Sequence, residues 1–212
     1  MNTKKVLGFD LDGTLIDSLR MHLNGFKYAA KTLKLKFDMQ EVKKLFSNPD
    51  EIILRKIYPR IDKKITSKFV SLQYIYFNAH LKHIKPFCGV AETLTFLKQK
   101  YDIILISNTR YKSILKSLEA ADLNPLFFDL IVSSDLVKHP KPYPDEIFKA
   151  KKILHHKVNY YVGDSIVDMK TGRNAKVDTI GITTGLNTKK ELLAYKPYAV
   201  ISRIEQLRII LP

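Results

Sequence analysis

Asp10-Leu11-Asp12-Gly13-Thr14 sets two carboxylates one residue apart, directly after the apolar run Val6-Leu7-Gly8-Phe9. Such a pair can attack an electrophile, move a proton or hold a cation. Three further motifs carry related chemistry. Ile106-Ser107-Asn108-Thr109 offers donors to an anion after another apolar run. Lys138-His139-Pro140-Lys141-Pro142-Tyr143-Pro144-Asp145 fixes the backbone on both sides of Lys141, whose compact ammonium suits phosphate charge. Val162-Gly163-Asp164-Ser165-Ile166-Val167-Asp168 places two carboxylates one helical turn apart. Taken singly, each motif has an ordinary reading: an acidic surface turn, a helix-capping Ser, a Pro-rich loop, and first-turn acids favoured by a helix dipole. A calcium loop of the EF-hand type is excluded, because its Gly and Glu places, counted from Asp10, hold Leu15 and Met21.

The surrounding elements bring the motifs together. Val6–Phe9, Asp102–Ile106, Leu130–Val132, Val158–Val162, Thr179–Ile182 and Tyr198–Ile201 read as strands. Helical stretches at 90–100, 111–121, 144–154, 166–175 and 204–209 alternate with them, which predicts an α/β fold with a doubly wound parallel sheet. Between the first two strands the pattern is helical throughout. Ser18–Leu33 has Ser18 as its N-cap, and Met39–Phe46, Pro49–Ile57 and Asp62–Leu81 follow. This predicts a core formed by residues 1–17 and 84–212, with an inserted all-α cap at 18–83. All four motifs then lie at the carboxyl ends of successive strands, where open α/β sheets bind ligands. Four carboxylates on one edge repel unless a cation joins them, and an oxygen-only site with several Asp suits Mg²⁺. The pattern asks for a divalent metal and a phosphorylated ligand.

Read together and in order, Asp10-Leu-Asp-Gly-Thr14, Ser107-Asn108, Lys141-Pro-Tyr-Pro-Asp145 and Gly163-Asp-Ser-Ile-Val-Asp168 resemble the haloacid dehalogenase superfamily over nearly the whole chain. The insertion is similar to that family's helical C1 cap, in the phosphoglycolate phosphatase and β-phosphoglucomutase-like branch. Pro86-Phe-Cys-Gly-Val90 is similar to the family's return to the core. The resemblance implies a Rossmann-like core and a Mg²⁺-dependent phosphatase. In it Asp10 would be the nucleophile, forming an aspartyl-phosphate, and Asp12 the acid and base. Mg²⁺ would be held by the Asp10 carboxylate, the Asp12 backbone carbonyl and Asp164. Thr14, Ser107, Asn108 and Lys141 would bind the phosphoryl group, and Asp168 would act from behind. The dehalogenase branch works without an acid–base Asp, so Asp12 marks the phosphatase and phosphomutase branch. Arg20 is a candidate substrate contact, as is Arg55 in the middle cap helix. His22 reads more readily as a packed or solvated helix residue.

Composition bounds the rest. The chain has 212 residues, 45% hydrophobic and 27% charged, which excludes disorder, and its single Cys88 excludes an internal disulfide. Cys88 reads as a small packed residue, and His139, His155 and His156 as loop or surface residues. The expectation is a cytoplasmic protein without a membrane span or a leader peptide. The formal charge of +15 raises nucleic-acid binding as a rival, but no helix-turn-helix, RNP or zinc-finger pattern accompanies it. Residues 18–83 hold 14 Lys and Arg against 5 Asp and Glu, so much of the excess lies in the insertion. The partner predicted is a small phosphorylated metabolite, phosphoglycolate-like as a first guess. A phosphosugar mutase and a pyrophosphatase are the alternatives.

Overall fold

The computed structural model describes residues 4–212, so residues 1–3 of the predicted core segment lie outside it. Strand β1 is Lys5–Phe9, and its last four residues are buried, as a strand covered on both faces must be. Helices α1 (Leu19–Thr32), α2 (Met39–Leu45), α3 (Asp50–Ile57) and α4 (Lys63–His80) follow. The chain then alternates: α5 (Val90–Lys98), β2 (Tyr101–Ser107), α6 (Tyr111–Ala120), β3 (Leu130–Ser133), α7 (Asp145–Leu154), β4 (Val158–Gly163), α8 (Ile166–Ala175) and β5 (Asp178–Ile182). Helix α9 (Lys189–Leu193), β6 (Ala199–Ile201) and α10 (Leu207–Ile210) close it.

The strands form one parallel sheet in the order β3-β2-β1-β4-β5-β6. The α/β doubly wound fold predicted from the alternation is therefore present. The chain leaves β1 in one direction through β2 and β3, then returns to pair β4 on the other side of β1. The order reverses between β1 and β4, and such a switch point opens a crevice at the carboxyl ends. Asp10 follows β1 and Asp164 follows β4, so both stand at that crevice.

The predicted elements shift by a residue or two at their ends, as boundaries do. Two details differ in kind. Helix α9 was not foreseen, although Thr188 and Glu191 form a reciprocal capping box that starts it. The last predicted helix opens as a 3₁₀ turn at Ile204–Gln206 before α10.

Helices α1–α4 bury a cluster of their own, built from Phe26, Ala29, Ala30, Val42, Ile53, Leu54 and Phe69. Phe69 packs edge-on against Phe26 at 4.8 Å between ring centroids. The segments that enter and leave the insertion run antiparallel: Asp17 donates its N–H to the Lys85 carbonyl, and Phe87 donates to that of Leu15. Met21 and Phe77 join the cluster beneath the sheet instead, tying the first and last of these helices to it. Among the described residues, no helix is long and apolar enough to cross a membrane.

Candidate active site

The site is assembled where β1, β2 and β4 end. Lys141 reaches it from the loop between β3 and α7, and it is buried at 3% exposure. Its Nζ donates to Asp10 Oδ1 at 2.6 Å, to Asp168 Oδ1 at 2.7 Å and to the Tyr161 hydroxyl at 2.9 Å. The Tyr161 hydroxyl donates in turn to Asp168 Oδ1 at 2.9 Å. The other Asp168 oxygen accepts from the Ser165 N–H and hydroxyl, closing the capping box of α8. Asp168 is thus fixed from three sides, and it fixes Lys141.

Carboxylate oxygens of Asp10, Asp164 and Asp168 lie within 4.8 Å of one another. Burial, opposed by Lys141 and reinforced by Asp168 and Asp12, pushes the Asp10 carboxyl up to about 7. Burial, with Asp168 and Asp10 beside it, raises Asp164 well above the usual carboxylate range. Lys141 behaves oppositely: burial favours its neutral form, but Asp10 and Asp168 outweigh it and hold the ammonium charged. One ammonium among three close carboxylates leaves an excess of negative charge. Backbone packs tightly around Asp164. A Cβ on Gly13, which sits at φ +84°, would come within 2.8 Å of Asp164 Oδ2. A Cβ on Gly185 would come within 1.6 Å of the same atom.

Asp12 turns its carboxylate away from this group. Ser18 donates to Oδ1 at 2.6 Å, His22 Nε2 lies 3.1 Å from the same oxygen, and Thr109 donates to Oδ2 at 2.7 Å. Burial pushes Asp12 up, but His22 and these hydrogen bonds prevail and hold it at about 2. His22 is raised, since Asp12 outweighs the effect of its own burial.

Several predictions need correction here. Ser18 stands at the N-cap of α1, but its hydroxyl makes no capping bond and serves Asp12 instead. His22, read as a packed or solvated residue, binds Asp12 and packs on Phe77 at 4.8 Å. Thr14 is fully buried, and its hydroxyl lies between Asp10 Oδ2 at 3.4 Å and Asp164 Oδ1 at 3.3 Å rather than on the cavity wall. Arg20 and Arg55 are exposed and outside the cavity lining. Cys88 is exposed, not packed. Thr109 belongs to the Ile106–Thr109 motif, and its role comes from the fold, which sets it on Asp12. Nothing in the local sequence pattern points to Glu146 or Tyr161 as parts of the site. Glu146 is fully buried, its Oε1 accepts from the Lys141 N–H at 3.1 Å, and burial pushes it up to about 7.

Above the carboxylates lies a cavity of about 540 Å³. The sheet edge forms its floor with Asp10, Ser107, Lys141 and Asp164. Residues Phe46 to Glu51 and helix α4 form its roof. Asn108 joins the two, as its amide nitrogen donates to the Ser47 carbonyl at 3.0 Å and to the Lys141 carbonyl at 3.2 Å. Its buried Oδ1 has no partner.

Comparison with known proteins agrees with this geometry. The family model for haloacid dehalogenase-like hydrolases matches residues 7–182. The chain is 29% identical to "Probable phosphatase IndB" of Dickeya dadantii (strain 3937), covering 96% of this chain and 92% of that one. It is 28% identical to the pyrophosphatase PpaX of Bacillus cereus (strain G9842), covering 96% and 94%. The crystal structure of a predicted phosphoglycolate phosphatase from Haemophilus somnus superposes with a TM-score of 0.85 at 22% identity, over all of both chains. The chain belongs to the haloacid dehalogenase-like hydrolase family.

Proposed function

We propose that the protein is a Mg²⁺-dependent phosphomonoesterase that transfers the phosphoryl group of a small metabolite to Asp10 and then to water. The observation that carries this reading is the buried group of Asp10, Lys141, Asp164 and Asp168 under an open cavity at the switch point of the sheet. The donor set fits the metal: only oxygens, hard and anionic, with more negative charge than Lys141 balances. Asp10, Asp164 and the Asp12 backbone carbonyl would hold it, with Asp168 supporting them. When bound, the metal would screen the incoming phosphate from the carboxylates.

Asp10 is the nucleophile in this scheme. It is buried, held by Lys141, and aligned at the carboxyl end of β1. Lys141 carries its charge beside the phosphoryl oxygens, where it stabilises the charge of the transition state. The Ser107 hydroxyl binds a further phosphoryl oxygen from the end of β2, and Asn108, whose side-chain nitrogen is given to the Ser47 and Lys141 carbonyls, would add its backbone N–H. Asp12 gives the leaving oxygen a proton drawn from its pair with His22, and takes one from water in the second step. Ser18 and Thr109 orient that carboxylate. Residues 18–83 act as a cap that supplies the roof and His22, while residues 4–17 and 84–212 supply the floor.

The names of the relatives support phosphoglycolate and pyrophosphate as candidates alongside other small esters. A mutase would protect the phosphorylated Asp10 from water until a second alcohol arrived. Release of inorganic phosphate from p-nitrophenyl phosphate with Mg²⁺ tests the reading. The expected outcome is turnover that EDTA abolishes and that Asp10→Asn reduces by on the order of 10⁴-fold with the fold intact. Wild-type turnover by Asp10→Asn would overturn it.

A further inference from the structure

The roof is more informative about the leaving group than the floor is. Among the described residues that line the cavity, the cations are Lys141, His22 and Arg110. Each already faces a carboxylate: Lys141 holds Asp10 and Asp168, His22 holds Asp12, and Arg110 lies 3.8 Å from Glu51. Lys141 and His22 are committed in the interior, and Arg110 is exposed at the rim, so the roof's two acids face a single exposed guanidinium. The roof adds Asp50 at the start of α3, with Glu51 beside it. The Asp50 carboxyl is pushed up to about 6 by desolvation, opposed by His22, while the residue keeps part of its surface open to the cavity.

Gln73 on α4 gives the second, independent observation. It lines the cavity and is only 8% exposed. Its Oε1 lies towards Gly25 of α1, and its Nε2 is buried without a hydrogen-bond partner. The amide influences Asp50 nearby but does not reach bonding geometry with it. A buried donor left unmet is costly unless a ligand meets it. The roof therefore presents one acceptor and one donor within a cavity larger than a phosphate needs.

We propose that the leaving group is a neutral polyhydroxy alcohol, and that Asp50 and Gln73 select it, Asp50 by accepting from one hydroxyl and Gln73 Nε2 by donating to another. The inference rests on the phosphatase reading and narrows it. A carboxylate, as in phosphoglycolate, or the second phosphate of pyrophosphate would meet both Asp50 and Glu51, with only the exposed Arg110 to offset them. Selection of this kind acts mainly through the ground state, so it appears in KM.

The test compares sorbitol 6-phosphate with 6-phosphogluconate, which share a skeleton and differ at C1 as hydroxymethyl against carboxylate. The expected kcat/KM with Mg²⁺ is at least about tenfold higher for the sorbitol ester, chiefly through KM. Asp50→Asn should bring that ratio to within about threefold, and Gln73→Ala should raise KM for the sorbitol ester by about three- to tenfold. Equal or faster hydrolysis of 6-phosphogluconate, phosphoglycolate or pyrophosphate would overturn the proposal. So would a preference for phosphoethanolamine over the sorbitol ester, which would mark an ammonium pocket. If p-nitrophenyl phosphate is not hydrolysed, the phosphatase reading falls separately. Calorimetric binding of the matched pair to Asp10→Asn then decides the inference: tighter binding of the sorbitol ester upholds it, and equal or weaker binding overturns it.

Discussion

On the floor of the cavity, Lys141 is clamped by Asp10 and Asp168, and Asp168 by Tyr161 and Ser165, so the ammonium and both its carboxylates are held by groups of this chain. On the roof, Gln73 Nε2 has no partner and the half-buried Asp50 lines the cavity. The floor is organised before any substrate arrives, as a group that must stabilise a transition state needs to be. The roof is completed by what binds. The helices that build the roof are also basic outside and acidic inside. Residues 18–83 carry 14 Lys and Arg, yet among the described residues that stretch turns Asp50 and Glu51, and no Lys or Arg, to the cavity. Net charge therefore says little about the ligand, because it is counted over the surface while selection happens on one inner wall.

Breaking the floor should have the largest effect. Lys141→Met should lower kcat by on the order of 10²- to 10³-fold, as loss of one preorganised transition-state donor does. It should also cost about 3 kcal/mol of stability at pH 8, because Asp10 and Asp168 are left buried without a counter-charge. That cost should shrink at pH 5, where the carboxylates take up protons, and urea unfolding at the two pH values reads it. A cost unchanged between them would mean that Lys141 matters for packing alone.

The roof should break on its own. Phe69→Ala removes a fully buried ring from the cluster of Phe26, Ile53 and Leu54 and should cost about 3–5 kcal/mol. Hydrogen exchange should show protection lost across α1–α4 while β1, β2 and β4 keep theirs. Equal loss in the sheet would show that cap and core unfold together.

A smaller effect with a definite sign concerns Glu146, which supports the Lys141 backbone from below. Its carboxyl sits at about 7 in the fold against an ordinary 4.5. Between those values the unfolded chain gives up a proton that the fold keeps, so stability falls as pH rises through that window. Glu146→Gln keeps the acceptor for the Lys141 N–H and should stabilise the protein by about 1–3 kcal/mol at pH 8, with the gain gone below pH 4.5. A destabilised variant at pH 8 would show that the ionised carboxylate is wanted there.

The smallest effect tests the outer charge. If the basic exterior of residues 18–83 steers anionic esters, kcat/KM should fall by no more than about threefold between low and high salt. A drop of a hundredfold would make the exterior a binding surface instead.

The sequence was most legible where one side chain follows directly from its place on the chain. Asp10, Ser107 and Asp164 fall at strand ends, and the apolar runs before them mark those ends. It was least legible where partners come from distant segments. Thr109 meets Asp12 across 97 positions, and Tyr161 meets Lys141 across 20, with nothing in either local pattern to announce the pairing. Ser18 shows a subtler failure. It sits where a capping Ser should, but a carboxylate six positions earlier takes its hydroxyl. Arg20 fails for a geometric reason: on α1 it lies two residues before His22, and neighbours so spaced leave a helix in different directions. The unmet amide of Gln73 has no signature in sequence, because lacking a partner is a property of the fold.

The stereochemical course at phosphorus tests the central claim most directly. A phosphorothioate ester carrying two different oxygen isotopes on phosphorus should yield, in water labelled with the third, inorganic thiophosphate of retained configuration. Two in-line displacements, first by Asp10 and then by water, each invert the centre. Inverted product would mean that water attacks the ester directly, and that Asp10 is not the nucleophile.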